Sequence, residues 1–331
     1  MQRIDLSKYP KLKLLNRATE VQYLAKISEL FGVNLYIKRD DLNGVGFGGN
    51  KVRKLEYLLG EAKKQGVTHV LTLGAIQSNH ARLTAVTATM KGFEVELFLK
   101  ESVDIQKESY QKNGNIVLNS IVDVKMHRIP NDNKMMEKVE ARIKEIKEEG
   151  GVPYFIPVGG SNALGNIGYV DCYNELLDQE KELGVKFEYI VAASGSGGTH
   201  GGLILGQLLS GDKASVKAYN VQPEHDELVD HTLEICNETL RMLGKDELSR
   251  ESIDLNSSYS GAAYGFPELY HLNTLKLLAK EEGIFLDPVY TSKAFSGLLA
   301  DIKKGVYPKD STIVFIHTGG TPGVFAYNDW F

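Results

Sequence analysis

At 331 residues the chain exceeds the size that one hydrophobic core usually serves, so two domains of moderate size are expected. Hydrophobic residues make up 42% and charged residues 24%, an ordinary globular balance, and no run approaches the roughly 20 apolar residues needed to span a bilayer, which excludes a membrane-embedded protein. The formal net charge of −5, with lysines interleaved by glutamates, gives no general attraction to a phosphate backbone and argues against a nucleic-acid partner.

Taken from the start, MQRIDLSKYPKLKLL is broken by charges and lacks the apolar stretch of a secretory signal, so a cytoplasmic protein is expected. Four glycines in GVGFGGNKVRKLE (44 to 56) precede a helix that opens at Lys51. Asn50 is placed as its N-cap, and Val52, Leu55, Leu58, Leu59 and Ala62 share one face. Strands are expected at 68 to 74, 93 to 99, 187 to 193 and 312 to 318, with an amphipathic surface helix at 133 to 151 that ends on a glycine pair. Short β-rich runs alternating with helical stretches predict an α/β fold with mostly parallel sheets and helices on both faces. Cys172 and Cys236 are far apart and outside any CxxC spacing, so both read as ordinary thiols and neither a disulfide nor a metal site is expected.

Three loops follow strands, where open α/β sheets bind ligands. SGSGGTHGG (194 to 202) has five glycines in nine residues, and these let backbone N–H groups approach an anion while the helix that follows adds a favourable dipole. It is not a P-loop, and the dinucleotide fingerprint fails because His200 stands at the third glycine position. A phosphorylated cofactor other than a dinucleotide is therefore expected on this loop. In the 44 to 56 loop, Lys51 lies in the positive end of a helix dipole, which disfavours the ammonium and favours the neutral amine that forms Schiff bases. In LGAIQSNHAR (73 to 82), Gln77, Ser78 and Asn79 present two amides and a hydroxyl, although Ser78 or Asn79 would serve equally as a helix cap. The three loops together describe a phosphorylated small-molecule site with a Schiff-base lysine, which gives a class and no reaction.

With those residues in place the chain resembles the family of D-cysteine desulfhydrases and 1-aminocyclopropane-1-carboxylate deaminases, within the tryptophan-synthase-β-like, fold-type II pyridoxal-phosphate enzymes. The likeness is carried by YIKRDDLNGVGFGGNKVRKLEYLLGEA (36 to 62), GAIQSNHAR (74 to 82), IPVGGSNALGNIGYV (156 to 170), ASGSGGTHGG (193 to 202), AAYGFPE (262 to 268), EGIFLDPVYTSKAFSGL (282 to 298) and FIHTGGTPGVFAY (315 to 327). The resemblance implies pyridoxal 5'-phosphate on Lys51, its phosphate on the 194 to 199 loop, and Asn79 at the phenolic oxygen, with Asn50 and Thr318 also in the cofactor site. It implies Ser78, Tyr264 and Tyr290 as active-site hydroxyls and Gln77, Asn79, Gly160 and Thr291 around the substrate. It also implies a small α/β domain, 51 to 160, inserted into a larger one formed by 1 to 50 and 161 to 331, with the site in the cleft.

The two substrates of the family separate at two positions. The deaminases resemble DPVYEGK and HLGG there, with a glutamate near the pyridine nitrogen, whereas this chain has DPVYTSK (287 to 293) and HTGG (317 to 320). Thr291 and Thr318 thus look like desulfhydrase, although many members have glycine where Ser292 stands. The implied reaction converts D-cysteine and water to pyruvate, hydrogen sulfide and ammonia, the amine of Lys51 removing the α-proton. The alternative is the deaminase or a lyase for another β-substituted amino acid. A nicotinamide dehydrogenase lacks its fingerprint here, and a non-catalytic sensor has no need for Ser78, Tyr264 and Tyr290 together. A small amino acid is the expected partner, and a symmetric homodimer the expected assembly.

Overall fold

The computed structural model describes residues 2–131 and 134–331. The chain opens with β1 (Val21–Tyr23), α1 (Ala25–Phe31) and β2 (Asn34–Lys38), then α2 (Lys51–Lys64) and β3 (His69–Ala75). There follow α3 (Asn79–Met90), β4 (Glu94–Lys100), α4 (Glu108–Lys112), α5 (Asn115–Ile121), β5 (Lys125–Ile129), α6 (Met135–Glu148) and β6 (Pro153–Ile156). Next come α7 (Ala163–Leu183), β7 (Tyr189–Ser194), α8 (Gly198–Ser210), β8 (Ser215–Asn220), α9 (His225–Leu243) and β9 (Leu255–Asn256). The chain closes with α10 (Leu269–Glu282), α11 (Thr291–Lys303), β10 (Thr312–Ile316) and α12 (Gly323–Ala326).

The strands form a six-stranded sheet in the order β1-β2-β10-β7-β8-β9 and a four-stranded sheet in the order β5-β4-β3-β6. Only β1, paired antiparallel to β2, departs from parallel pairing. Parallel strands buried on both faces need apolar side chains at successive positions, and the sequence supplies them. On β7, Ile190 and Ala192 face α7 and α8, while Val191 and Ala193 face α10 and α11; on β10, Val314 and Ile316 go with the first pair and Ile313 and Phe315 with the second. In the smaller sheet Val70, Val95 and Leu97 meet α2 and α3, and Leu71, Leu73 and Phe98 meet α6.

The expected apolar face of α2 is real: Val52, Leu55, Leu58, Leu59 and Ala62 are all fully buried against the small sheet. Asn50 stands at its N-cap position, as expected, but does not cap it with its side chain. The residue is itself helical, at φ −55° and ψ −25°, and makes no side-chain cap bond, because its carboxamide is drawn across the cleft instead. The amphipathic helix begins at Met135, Asn133 lying outside the described residues, and stops ahead of Gly150 at φ 85°. Both cysteines are free and buried. Among the described residues no helix is long and apolar enough to cross a membrane.

Candidate active site

A cleft lies between the two sheets, where β3 and β7 end and α2, α3 and α8 begin. Lys51 enters it from the first turn of α2. The loop before it is shaped by Arg82 of α3, whose guanidinium donates to the carbonyls of Gly46 (2.5 Å) and Gly48 (3.1 Å). At Gly48, φ is 67° and an added Cβ would stand 1.8 Å from the Asp41 carbonyl oxygen, so only glycine closes this loop. The carbonyls of Gly46 and Gly48 thus close the loop around an arginine. Asn50 bridges the cleft: its Nδ2 donates to Thr199 Oγ1 of α8 (2.8 Å), and its Oδ1 accepts from Lys51 Nζ (3.2 Å).

Burial lowers the Lys51 amine to about 8. That shift does not single it out. Burial also brings Lys293 to about 8, and burial with the neighbouring Lys51 charge takes Lys54 well below the ordinary lysine value. Geometry separates them. Lys51 lines the cleft, whereas Lys54 Nζ is spent on Gly159 O (3.1 Å) and Ser161 Oγ (3.0 Å), and Lys293 Nζ on three carbonyls outside the lining.

On the opposite wall Ser194, Gly195, Ser196, Gly197 and Thr199 line the cleft. Gly198 opens α8 directly behind them, and no side chain caps that helix. An added Cβ on Gly198 would come within 2.5 Å of Lys54 Nζ, so this glycine is what lets a buried cation approach the loop. A polar chain runs from Lys54 to Ser161 Oγ and on to Ser196 Oγ (2.9 Å). Ser194 Oγ is buried and has no hydrogen-bond partner.

From the third loop, Ser78 and Asn79 line the cleft beside Lys51, while Gln77 lines only the small cavity that adjoins it at Asn79, Tyr264 and Tyr290. Ser78 caps α3, its Oγ accepting from Ala81 N (3.1 Å), which leaves the hydroxyl hydrogen available. Capping and a substrate role are compatible in one residue. Asn79 Oδ1 accepts from Asn115 Nδ2 (3.0 Å), and its Nδ2 has no protein acceptor among the described residues. Gln77 is a correction to the sequence reading. Its Nε2 donates to Tyr110 O (2.6 Å) and Asn113 O (2.9 Å), and its Oε1 accepts from Asn115 N (2.9 Å), so the side chain is used up in holding α4 and α5.

Two further placements differ from expectation. Gly160 turns away, its missing Cβ pointing at Leu58 and His80, because Gly159 and Gly160 both take positive φ; Gly159 lines the cleft in its place. Thr291 does not face the cleft. Its hydroxyl donates to Asp287 Oδ1 (2.7 Å) and accepts from Asp287 N (2.8 Å), which fixes the start of α11. Thr318 does line the cleft, and its hydroxyl has no protein partner among the described residues. Tyr264 and Tyr290 also line it with their hydroxyls hydrogen-bonded to each other, and burial raises both above the ordinary tyrosine value.

Sequence reasoning passed over Lys54, Gln222 and His80. Thr72 Oγ1 donates its one hydrogen to Ile156 O (2.8 Å), so His80 Nε2 must be the donor to Thr72 (2.8 Å), and the unpartnered Nδ1 is an acceptor. Burial first, then the charges of Lys51 and Lys54, hold this imidazole neutral. Among the described residues no Asp or Glu lines the cleft beside Lys51; Asp287 lines the small cavity that adjoins it at Ala75, Asn79, Tyr264 and Tyr290.

The pattern of the pyridoxal-phosphate dependent enzyme family matches residues 12 to 319. The chain belongs to that family. It is 38% identical to a D-cysteine desulfhydrase of Serratia proteamaculans (strain 568) over 98% of this chain and 97% of the relative. A D-cysteine desulfhydrase of Yersinia pestis is 41% identical, over 98% and 97%, and a putative 1-aminocyclopropane-1-carboxylate deaminase of Pyrococcus furiosus 39% identical, over 98% and 96%. Among solved structures, an ACC deaminase homologue superposes with a TM-score of 0.88 at 38% identity, covering 98% of this chain and 96% of the other. The fold is therefore the fold-type II arrangement of these enzymes.

The residues present fit pyridoxal phosphate. A phosphate matches the orphaned Ser194 hydroxyl, the uncapped start of α8 and the cation of Lys54 behind Gly198. An aldehyde matches the Lys51 amine, and an acceptor oxygen on the ring matches the free Nδ2 of Asn79.

Proposed function

We propose that the chain is a lyase converting D-cysteine and water to pyruvate, hydrogen sulfide and ammonia, with pyridoxal phosphate bound to Lys51. The bound cofactor supplies the electron sink for the pair left when the substrate loses its α-proton. The protein supplies the rest. Lys51, lowered to about 8 by burial, is the base that takes the α-proton. Ser78, whose oxygen already accepts from Ala81 N, donates its hydrogen to the substrate carboxylate. Between the Tyr264 and Tyr290 hydroxyls one hydrogen is shared, so one remains to protonate the departing thiolate, and burial keeps both phenols protonated until then. The residues of 51 to 160 and those of 1 to 50 with 161 to 331 act as two domains whose walls meet at this cleft.

The observation that carries the choice of D-cysteine over 1-aminocyclopropane-1-carboxylate is the lining beside Lys51: Thr318 stands there and no carboxylate does, while Asp287 lines only the small adjoining cavity, its oxygens taken by the Val289, Tyr290 and Thr291 N–H groups. Without a carboxylate to hold the pyridine nitrogen protonated, the ring withdraws electrons less strongly. Loss of a thiol tolerates this, while opening a cyclopropane, which has no good leaving group, does not. Thr291, tied to Asp287, supports this reading only by not being a glutamate. Steady-state turnover of D-cysteine, L-cysteine and 1-aminocyclopropane-1-carboxylate, scored for pyruvate and sulfide, tests it. D-cysteine should dominate, and ring opening that rivals sulfide release overturns the assignment.

The enzyme is also assigned to the cytoplasm and to a homodimer. The homodimer is supported by an apolar groove lined by Leu275, Ala279, Phe285, Phe325 and Phe331. Light scattering that reads a monomer refutes that assembly.

A further inference from the structure

Lys293 is a buried cation that the reaction above leaves unused. It lies in the first turn of α11 with no solvent exposure, and its Nζ donates to the carbonyls of Val221 (3.1 Å), Ser260 (2.6 Å) and Ala263 (2.9 Å). An ammonium has three N–H donors and no acceptor, so three converging carbonyls use it completely. A buried charge without such partners would be costly. The acidic groups that face it are engaged elsewhere. Glu268 accepts from Ala262 N (3.0 Å) and takes part in the capping of α10 with His271, the other titratable neighbour, and Asp287 accepts from Val289, Tyr290 and Thr291 N–H groups.

Two of the three contacts, and the helix itself, adjoin the cleft wall. Val221 precedes Gln222, Ala263 precedes Tyr264, and α11 follows directly on Tyr290; Gln222, Tyr264 and Tyr290 all line the cleft. Residues 257 to 266 have no helix or strand of their own. Their backbone is held from outside, by Lys293 at 260 and 263, by Glu268 at 262 and by the Tyr327 hydroxyl at Gly265 O (2.6 Å). Lys293 ties the backbone of this loop to α11, directly after Tyr290, and the Tyr259 hydroxyl makes a second tie to the far end of the same helix through Asp301 (2.7 Å).

The geometry points to Lys293 as the positioning residue that sets Tyr264 against Tyr290 and the substrate, through the backbone of residues 260 to 263. It touches neither the cleft nor the reacting atoms. The inference rests on the proposed role of the tyrosine pair, not on the identity of the leaving group.

A double-mutant cycle on the holoenzyme tests it, pairing Lys293→Met with Tyr264→Phe on whichever β-substituted amino acid turns over fastest. Lys293→Met should keep the absorbance of lysine-bound cofactor while kcat/KM falls on the order of 10²-fold, the scale set by a misplacement near 1 Å. Tyr264→Phe should then cost much less in the Lys293→Met background than in the wild type, because the tyrosine is already displaced. Lys293→Gln, which keeps two N–H donors, should fall between, and it carries the cycle if Lys293→Met does not fold. Equal factors for Tyr264→Phe in both backgrounds, wild-type kcat/KM in either Lys293 variant, or no effect of Tyr264→Phe on its own would each overturn the assignment. A different best substrate would defeat only the D-cysteine proposal, since the cycle does not depend on it.

Discussion

Gly168→Ala should impair catalysis from a distance. Gly168 lies on α7 where that helix packs on the backbone of α2, and an added Cβ would stand 2.4 Å from Arg53 O, 2.5 Å from Arg53 C and 2.7 Å from Lys54 N. Ordinary contact begins near 3.4 Å, so the helices must part by about 1 Å. Neither neighbour yields freely. Arg53 is locked to Asp40 (2.8 and 2.7 Å) and to Glu175 (3.0 Å for both contacts), the latter on α7 itself. Overpacking of this kind costs about 1–3 kcal/mol of stability. The part of the displacement that α2 absorbs reaches Lys51, on its first turn, and a misplacement approaching 1 Å lowers the rate by up to about 10²-fold. The assay is thermal unfolding of the holoenzyme beside kcat/KM, with Gly323→Ala as control, since nothing lies within 4 Å of its added Cβ. Gly168→Ala with wild-type melting and wild-type kcat/KM would refute the claim that α7 sets the position of the lysine.

Ser78→Ala removes a helix cap as well as a donor, so it should cost about 1 kcal/mol of stability, retain cofactor and lose far more turnover than that destabilisation explains; wild-type turnover would reduce Ser78 to its cap. The Lys51 amine, at about 8 against an ordinary 10.5, must be neutral to bond an aldehyde. Covalent incorporation of pyridoxal phosphate into apoprotein should therefore rise about tenfold per pH unit below 8 and level off above it, and a midpoint near 10.5 would contradict the burial of the amine. Lys54→Met should weaken cofactor binding, because it removes the one cation packed behind Gly198, while leaving Lys51 able to react at high cofactor concentration; unchanged affinity by titration would remove Lys54 from the phosphate site.

Local pattern carried much of this architecture. The face of α2, the strands ending in glycine loops and the lysine at a helix start are properties of short segments, and each could be seen in the sequence. What escaped depends on contacts between distant segments. Lys54 reads as one more charge in KVRKLE until Gly159 and Ser161, more than a hundred residues on, are seen to hold it. Gln77 looks like a ligand residue because its neighbours are, but the loop from 110 to 115 consumes its amide. Thr291 has the right composition for the substrate distinction, yet Asp287, four residues before it, competes for its hydroxyl and wins. The glycines before Lys51 are visible in the sequence, but not that the guanidinium of Arg82, more than thirty residues on, takes the carbonyls of Gly46 and Gly48.

The most direct test of the central claim, that Lys51 carries the cofactor, is borohydride reduction of the holoenzyme followed by peptide mass spectrometry. Three lysines, 51, 54 and 293, have lowered pKa values, so reactivity alone does not decide among them. The account predicts the phosphopyridoxyl group on Lys51 alone, and no covalent label in Lys51→Ala. A label on Lys54 or Lys293, or one that persists in Lys51→Ala, would contradict it.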